Sequence, residues 1–387
     1  MATRYEDGAA VFRIEHDPKA VMRCSACGGA DVIRRGKFAR RWRSLPVGPK
    51  PTFIELDVQR LACRGCNVVR LVKVGFAEPG VGYTRALEKF AVALARSMTL
   101  QDVARSLGLS WNTVKDMVKR DLQRRHSKPP LGHLRRIAID EIAVAKGHRY
   151  MTVVMDLDER RAVFVGDGKG SAALEPFWRR LRRSGAKIKA AGIDMSPAYI
   201  AAVEKNLPDA ALVFDRFHLT RLVNETISEI RRLTQRAATA AERKVVKGTR
   251  WILLKNPENL DDKRDERRRL EEALALNKPL AAGYYLKEDL RQLWSQVGLR
   301  AGRRFLRDWL NRAVASGVGP LIKLAKTLSR HAEGILAWFR EPISSGPLEG
   351  FNNKIKTMKR QAYGYRDTDF FKLKILALHE SKYALIG

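Results

Sequence analysis

Cysteine is scarce in this chain, with four in 387 residues. That number is far too small for a disulfide scaffold, and pairs of cysteines in a reducing compartment are more often metal ligands. Long apolar runs are missing too: no stretch approaches the ~18 consecutive apolar residues a spanning helix needs. The opening residues Met1 to Asp7 carry Glu6 and Asp7 where a secretory leader would have a basic and then an apolar run, so a cytoplasmic protein is expected, with no membrane partner. Acidic residues are in short supply: 42 Asp and Glu stand against 74 Lys and Arg, a formal net charge of +32. With 45% hydrophobic residues the chain is too apolar for a disordered basic tail. What remains is a folded protein of two or three domains whose charge suits a polyanion, nucleic acid foremost. Gly166-Asp-Gly-Lys-Gly170 lacks the spacing of a phosphate-binding loop, so no small-molecule cofactor is expected.

The cysteines fall as Cys24-Ser-Ala-Cys27 and Cys63-Arg-Gly-Cys66, beside Gly28, Gly29 and Gly65. Two such turns present four thiolates to one tetrahedral ion, which predicts a closed, structural Zn²⁺ site of the zinc-ribbon type. The segment between the pairs must hold a long β-hairpin, and Thr52 to Val58 alternates as a strand. Arg40, Arg41 and Arg43, around Trp42, are candidate DNA contacts, with a merely solvated basic face as the alternative. Farther on, Thr99 to Gly108 and Ser110 to Arg120 read as two capped helices joined by a glycine turn. Val114, Met117 and Val118 would face the first helix and leave Trp111, Asn112, Thr113, Lys115 and Lys119 outward. That is the layout of a helix-turn-helix with a reading helix; a small packing bundle would share the pattern. Residues 127–136, with Lys128-Pro-Pro130, read as a stiff basic linker.

Beyond Arg136 the texture is of strands and helices in the order βββαβαβ, which predicts a mixed sheet flanked by helices. Arg136–Asp140, Ile188–Asp194 and Ala211–Asp215 are apolar runs that each end in a carboxylate. From Leu219 to Phe339 no strand pattern is convincing and the segment reads as helical, with Trp251, Tyr284, Tyr285, Trp294 and Trp309 expected in its core. A final helix beginning near Ser344-Ser-Gly-Pro347 carries Glu349, with Asn352, Asn353 and Lys356 on the same face. Carboxylates just past strand ends converge at one edge of an open sheet. Asp140, Asp194 and Glu349 gathered there would repel unless a cation neutralised them, and all-oxygen donors select Mg²⁺ or Mn²⁺. A pair of such ions suits phosphoryl transfer at a phosphodiester. Lys356, Lys359 and Arg360 lie where a phosphate backbone would pass. Glu141, next to Asp140, points to the opposite face of a strand and is not favoured. His16, His126, His133, His148, His331 and His379 show no ligand spacing and are assigned nothing.

These motifs together resemble the DDE transposases of the ISL-three (ISL3) insertion-sequence family. The likeness rests on the four cysteines and on Ile139-Asp-Glu-Ile142, Gly192-Ile-Asp-Met-Ser196, Phe214-Asp-Arg-Phe-His218, Trp251-Ile-Leu-Leu-Lys-Asn-Pro257 and Ser345-Gly-Pro-Leu-Glu-Gly-Phe-Asn-Asn-Lys-Ile-Lys356, and it spans nearly the whole chain. It implies a multidomain α/β protein: a zinc ribbon (1–80), a helix-turn-helix (81–126), the linker, and a ribonuclease H-like core in two parts (137–219 and 341–387) separated by an all-α insertion (220–340). It implies a metal-binding triad of Asp140, Asp194 and Glu349, and makes Asp215 and His218 an Asp-x-x-His element. Those two either assist near the scissile phosphate or lock a strand-to-helix junction. The expected activity is cleavage of DNA at terminal inverted repeats and transfer of the 3′-OH into target DNA. A homodimer or higher oligomer would assemble on DNA, in a bacterial cytoplasm and at its nucleoid. A non-catalytic DNA-binding regulator, and a nuclease that cuts without joining, are the alternatives.

Overall fold

The computed structural model describes residues 2–145, 147 and 149–380; Met1, Lys146, His148 and the final residues 381–387 lie outside them. The chain divides into two compact units, one formed by residues 1–127 with 354–387 and the other by 128–353. The division falls inside the last long helix, and the residues after Asn353 group with the N-terminal modules.

In the first unit, β1 (Ala2–Glu6) and β2 (Ala9–Ile14) form a hairpin, and β2 runs parallel to β4 (Lys50–Cys63). The long hairpin expected between the cysteine pairs is β3 (Val32–Val47) against β4, with β5 (Val69–Leu71) on the other side of the β4 end. Trp42 is buried at the centre of this sheet and meets Phe76 edge-on at 5.2 Å. Three helices follow: α1 (Arg85–Leu94), α2 (Leu100–Leu107) and α3 (Trp111–His126). Thr99 and Ser110 cap α2 and α3, and Gly108, at φ 59°, makes the turn between them. Val103, Leu107, Val114, Met117 and Val118 form the buried seam of this bundle, as their spacing predicts.

In the second unit, β6 (Arg136–Ala145), β7 (Arg149–Asp156) and β8 (Arg161–Asp167) form the antiparallel meander. The helix α4 (Ser171–Ser184), strand β9 (Ala190–Ile193), helix α5 (Pro197–Asn206) and strand β10 (Ala211–Phe214) follow. The strand order is β10-β9-β6-β7-β8, with β9 and β10 parallel to β6. This is the expected ribonuclease H-like mixed sheet. The segment read as a linker is not a free tether: Leu131 and Leu134 are buried in the core of this unit, and Arg180 donates to the carbonyl of Pro129 at 2.7 Å. Gathering the apolar side chains of a short segment offsets the entropy of ordering it.

From α6 (Arg216–Ala237) the chain is helical: α7 (Ala240–Val246), α8 (Arg250–Leu254), α9 (Glu266–Ala275), α10 (Lys278–Arg291), α11 (Gly298–Ala315), α12 (Gly319–Arg330) and α13 (Ala332–Leu336). Trp309 and Tyr284 are buried in its core as expected, but Trp251 and Tyr285 are exposed. Trp251 is the second residue of the short helix α8, and Ile252 and Leu253 take the inward positions beside it. The chain then enters α14 (Gly346–Gln361), and after it α15 (Thr368–Leu376), which packs against α3 within the first unit. No helix among the described residues is long and apolar enough to cross a membrane.

Asp367 caps α15 through Phe370 N and takes Lys115 and Lys119 at 3.3 and 2.9 Å. Burial works to raise its pKa, but the Lys119 and Phe370 hydrogen bonds outweigh that and hold it at about 2. A carboxyl held below its unfolded value stabilises the fold above that value and loses the contribution as pH falls through the folded one. We expect Asp367→Ala to cost about 1 kcal/mol at neutral pH, as the loss of a helix cap does. Urea unfolding of the two proteins checks this: the difference should shrink as the pH drops below ~4.

Candidate active site

The register of the parallel strands aligns the acidic residues. Ala138 of β6 pairs with Gly192 of β9, and Ile193 of β9 pairs with Phe214 of β10. Continued along those offsets, Asp140 stands beside Asp194, and Asp194 beside Asp215, one row across three neighbouring parallel strands ~4.8 Å apart. Each strand is apolar up to that row because it is buried on both faces. The polar row begins where the parallel pairing of β6 with β9 stops and β9 and β10 end, although β6 itself runs on against β7 to Ala145.

The start of α14 lies over the same edge. Asn352 Nδ2 donates to Asp140 Oδ2 at 2.8 Å, and the Ser345 side chain hydrogen-bonds Asp215. Ser345, Glu349 and Asn352 stand at i, i+4 and i+7, one helical face, so Glu349 lies between the two anchors. Glu349 is half-buried, as are Asp140 and Asp194. Asp140, Asp194 and Glu349 are not among the groups of ligand atoms that all lie within 4.8 Å of one another.

Burial raises the Asp140 pKa and Asp194 and Asp215 push the same way; the Glu141 N–H and His218 act against them. For Asp215, 6% exposed, burial works upward but hydrogen bonds from His218, Ser345 and Phe217 N bring the pKa below its ordinary value. His218 Nδ1 stands 3.3 Å from Asp215 Oδ2, and that bond raises the histidine pKa against the pull of burial. Asp215 also caps α6 through Phe217 N. The pair thus fixes the strand-to-helix junction, and it stands next to the acidic row.

An all-oxygen donor set with one buried, unbonded amide oxygen, Asn352 Oδ1, fits a hard divalent ion. Ser345 was quoted in the sequence motif without a role, and only the fold shows its bond to Asp215. Asn352 was visible in the sequence as a neighbour of Glu349 on one face. Glu141 has separate work: it accepts from Tyr199 Oη at 2.7 Å and from Gly170 N at 3.3 Å, which ties β6 to the start of α4.

The four cysteines form a second site. Cys24 Sγ and Cys66 Sγ are 3.7 Å apart, Cys27 Sγ and Cys63 Sγ 3.5 Å, and all four sulfurs lie within 4.8 Å of one another. A tetrahedron with ~2.3 Å Zn–S bonds has edges of ~3.8 Å, so the thiols fit structural zinc. Backbone N–H groups of Cys27 and Ala26 lower the Cys24 pKa to about 6, which favours the thiolate a metal needs.

The candidate DNA contacts divide. Trp111, Asn112, Arg41, Lys356 and Arg360 are exposed; Thr113, Arg40 and Lys359 are partly so. Lys115 and Lys119 do not face outward as expected, because α15 packs on α3 and its cap Asp367 takes both ammonium groups. Arg43 is likewise an internal strut: it donates to the Leu107 carbonyl at 2.9 Å and to the Thr52 carbonyl at 3.4 Å, over the Phe53 ring. Arg41 has Glu6 and Glu55 within 3.8 Å.

Compared with known proteins, residues 137–375 match the transposase family of the ISL3 DDE type, residues 72–122 the helix-turn-helix domain of transposase family ISL3, and residues 20–66 the zinc-finger of transposase IS204/IS1001/IS1096/IS1165. The transposase for insertion sequence element IS1001 of Bordetella parapertussis is 34% identical over 377 residues, covering 96% of this chain and 92% of that protein. The transposase for IS1557 of Mycobacterium tuberculosis is 30% identical, covering 93% and 86%. Among solved structures, the Drosophila P element transposase strand transfer complex aligns at 12% identity with a TM-score of 0.36, over 80% of this chain and 94% of that one.

Two measurements bear on these sites. In metal-free protein, the His218 ring should titrate above the ordinary histidine value of ~6.5, and Asp215→Asn should bring it down. The contribution of this bond is present below that value and lost as pH rises through the folded pKa. Proton NMR of the ring reads both. Cys63→Ser should release the ribbon zinc and expose the amides of β4 and β5 to hydrogen exchange, while those of β6 and β9 stay protected.

Proposed function

The chain belongs to the ISL3 family of transposases, and from that premise we propose that it binds the terminal inverted repeats of an insertion sequence, cuts DNA at the element ends and joins the freed 3′-OH to target DNA. Asp140, Asp194 and Glu349 would hold two Mg²⁺ or Mn²⁺ ions, which supply charge neutralisation and Lewis acidity at a phosphodiester. The observation that carries this reading is the register that lines Asp140 up with Asp194 at the carboxyl edge of the sheet. Asn352 supports it by fixing one oxygen of Asp140 and leaving the carboxylate no free rotation. His218 has Nδ1 engaged by Asp215, so its Nε2 is the nitrogen left to hydrogen-bond a phosphate oxygen or pass a proton.

DNA would be held by Trp111, Asn112 and Thr113 at the start of α3, by Arg40 and Arg41 on the ribbon, and by Lys356, Lys359 and Arg360 along α14. An element has two ends to be handled together, so a homodimer or larger assembly on DNA is part of the proposal, at work in a bacterial nucleoid.

Incubating the full chain with labelled element-end DNA, target plasmid and Mg²⁺ tests it. Wild type should give cleaved and joined products; Glu349→Gln and Asp194→Asn should bind the ends as well as wild type and form neither, a loss of at least ~100-fold. Cleavage without joining would reduce the protein to a nuclease. Binding with no Mg²⁺-dependent product would leave a regulator, and joining by Glu349→Gln would remove that residue from the site.

A further inference from the structure

The sequence shows no ligand spacing around His126 or His379, yet the fold brings them together. His126 ends α3, and His379 and Glu380 sit in the short turn Leu378–Glu380 that follows α15, all in the first unit. One ring nitrogen from each histidine and a carboxylate oxygen of Glu380 lie within 4.8 Å of one another, and the two rings meet edge-on with centroids 5.7 Å apart. His126 is only 8% exposed, and its Nε2 is buried without a hydrogen bond, with Glu380 Oε1 3.4 Å away. A buried ring nitrogen left unbonded is costly, and such groups mark strain or an absent ion or water.

The surroundings are built as they are around metal-binding histidines. His379 Nδ1 lies 3.0 Å from the Leu376 carbonyl, which can only accept, so the proton sits on Nδ1 and the lone pair on Nε2. The other oxygen of Glu380 accepts from Arg125 at 2.6 Å, and Arg125 is held in turn by Asp121 at 2.9 Å. The carboxylate is therefore oriented with one oxygen still available. Another grouping, His133 with Asp156 and Glu159, differs in that its ring nitrogen is already bonded: His133 Nε2 stands 3.1 Å from Asp156 Oδ2, whereas His126 Nε2 has no such bond.

We propose that His126, His379 and Glu380 bind a second divalent transition-metal ion of the Zn²⁺ class, separate from the cysteine site. Two imidazoles and one carboxylate suit borderline ions such as Zn²⁺ and Co²⁺, and water completes a tetrahedron. The ion clips the turn after α15 to the last turn of α3, where Asp367 already pins the start of α15 to the same helix.

The test counts metal on the full chain. Protein loaded with Zn²⁺ in the presence of excess Mg²⁺, which competes for the acidic row of the second unit, and then desalted should carry two Zn²⁺ equivalents by mass spectrometry, and His379→Ala and Glu380→Gln one each. Circular dichroism of both variants should match wild type, which separates ligand loss from unfolding. When Co²⁺ is added to protein whose cysteine site holds Zn²⁺, wild type should gain weak visible d–d bands without a thiolate charge-transfer band, and both variants should not. A single equivalent in wild type, or a second equivalent and the Co²⁺ bands retained in both variants, overturns the proposal.

Discussion

The register between three parallel strands is the constraint on which the candidate site depends. Ala138 opposite Gly192, and Ile193 opposite Phe214, leave no choice about where the next residues go. A slip of one residue in either pairing would turn one aspartate to the other face of the sheet. The register is held by the buried apolar faces of β6, β9 and β10. Core packing and site geometry are one problem in this sheet.

The parts that could be read in the sequence are those whose signal is local. Strands that end in carboxylates, helices with Ser and Thr caps, and two C-x-x-C turns announce themselves within ten or so residues, and the order βββαβαβ follows from them. Features set by distant contacts were not legible. Lys115 and Lys119 read as outward because nothing near them says that Asp367, about 250 positions on, will pair with both. His126 and His379 are as far apart. Residues 127–136 look like a basic spacer, and only the fold shows why Leu131 and Leu134 are apolar. Trp251 and Tyr285 read as core by residue type, and their exposure reflects the use of smaller aliphatic neighbours inside a bundle of short helices.

Charge in this chain is not uniformly available to a polyanion. Several of the basic groups nearest the modules that match DNA-binding families hold the fold instead: Arg43 through carbonyls, Lys115 and Lys119 through Asp367, and Arg125 through Asp121 and Glu380. The excess of basic over acidic residues, 74 against 42, still suits a polyanion partner. In the proposed function, Trp111 and Asn112 at the exposed start of α3 are the side chains placed to read sequence.

The central claim is that Asp140, Asp194 and Glu349 share bound metal. Iron-directed cleavage tests it on the intact chain: Fe²⁺ takes the place of Mg²⁺, and ascorbate with peroxide generates hydroxyl radicals that cut the backbone beside the ion. The account predicts cuts in three segments, in the middle of β6, at the end of β9 and in the first turn of α14, all suppressed by excess Mg²⁺. Cuts confined to the two strands, with α14 intact, would contradict it.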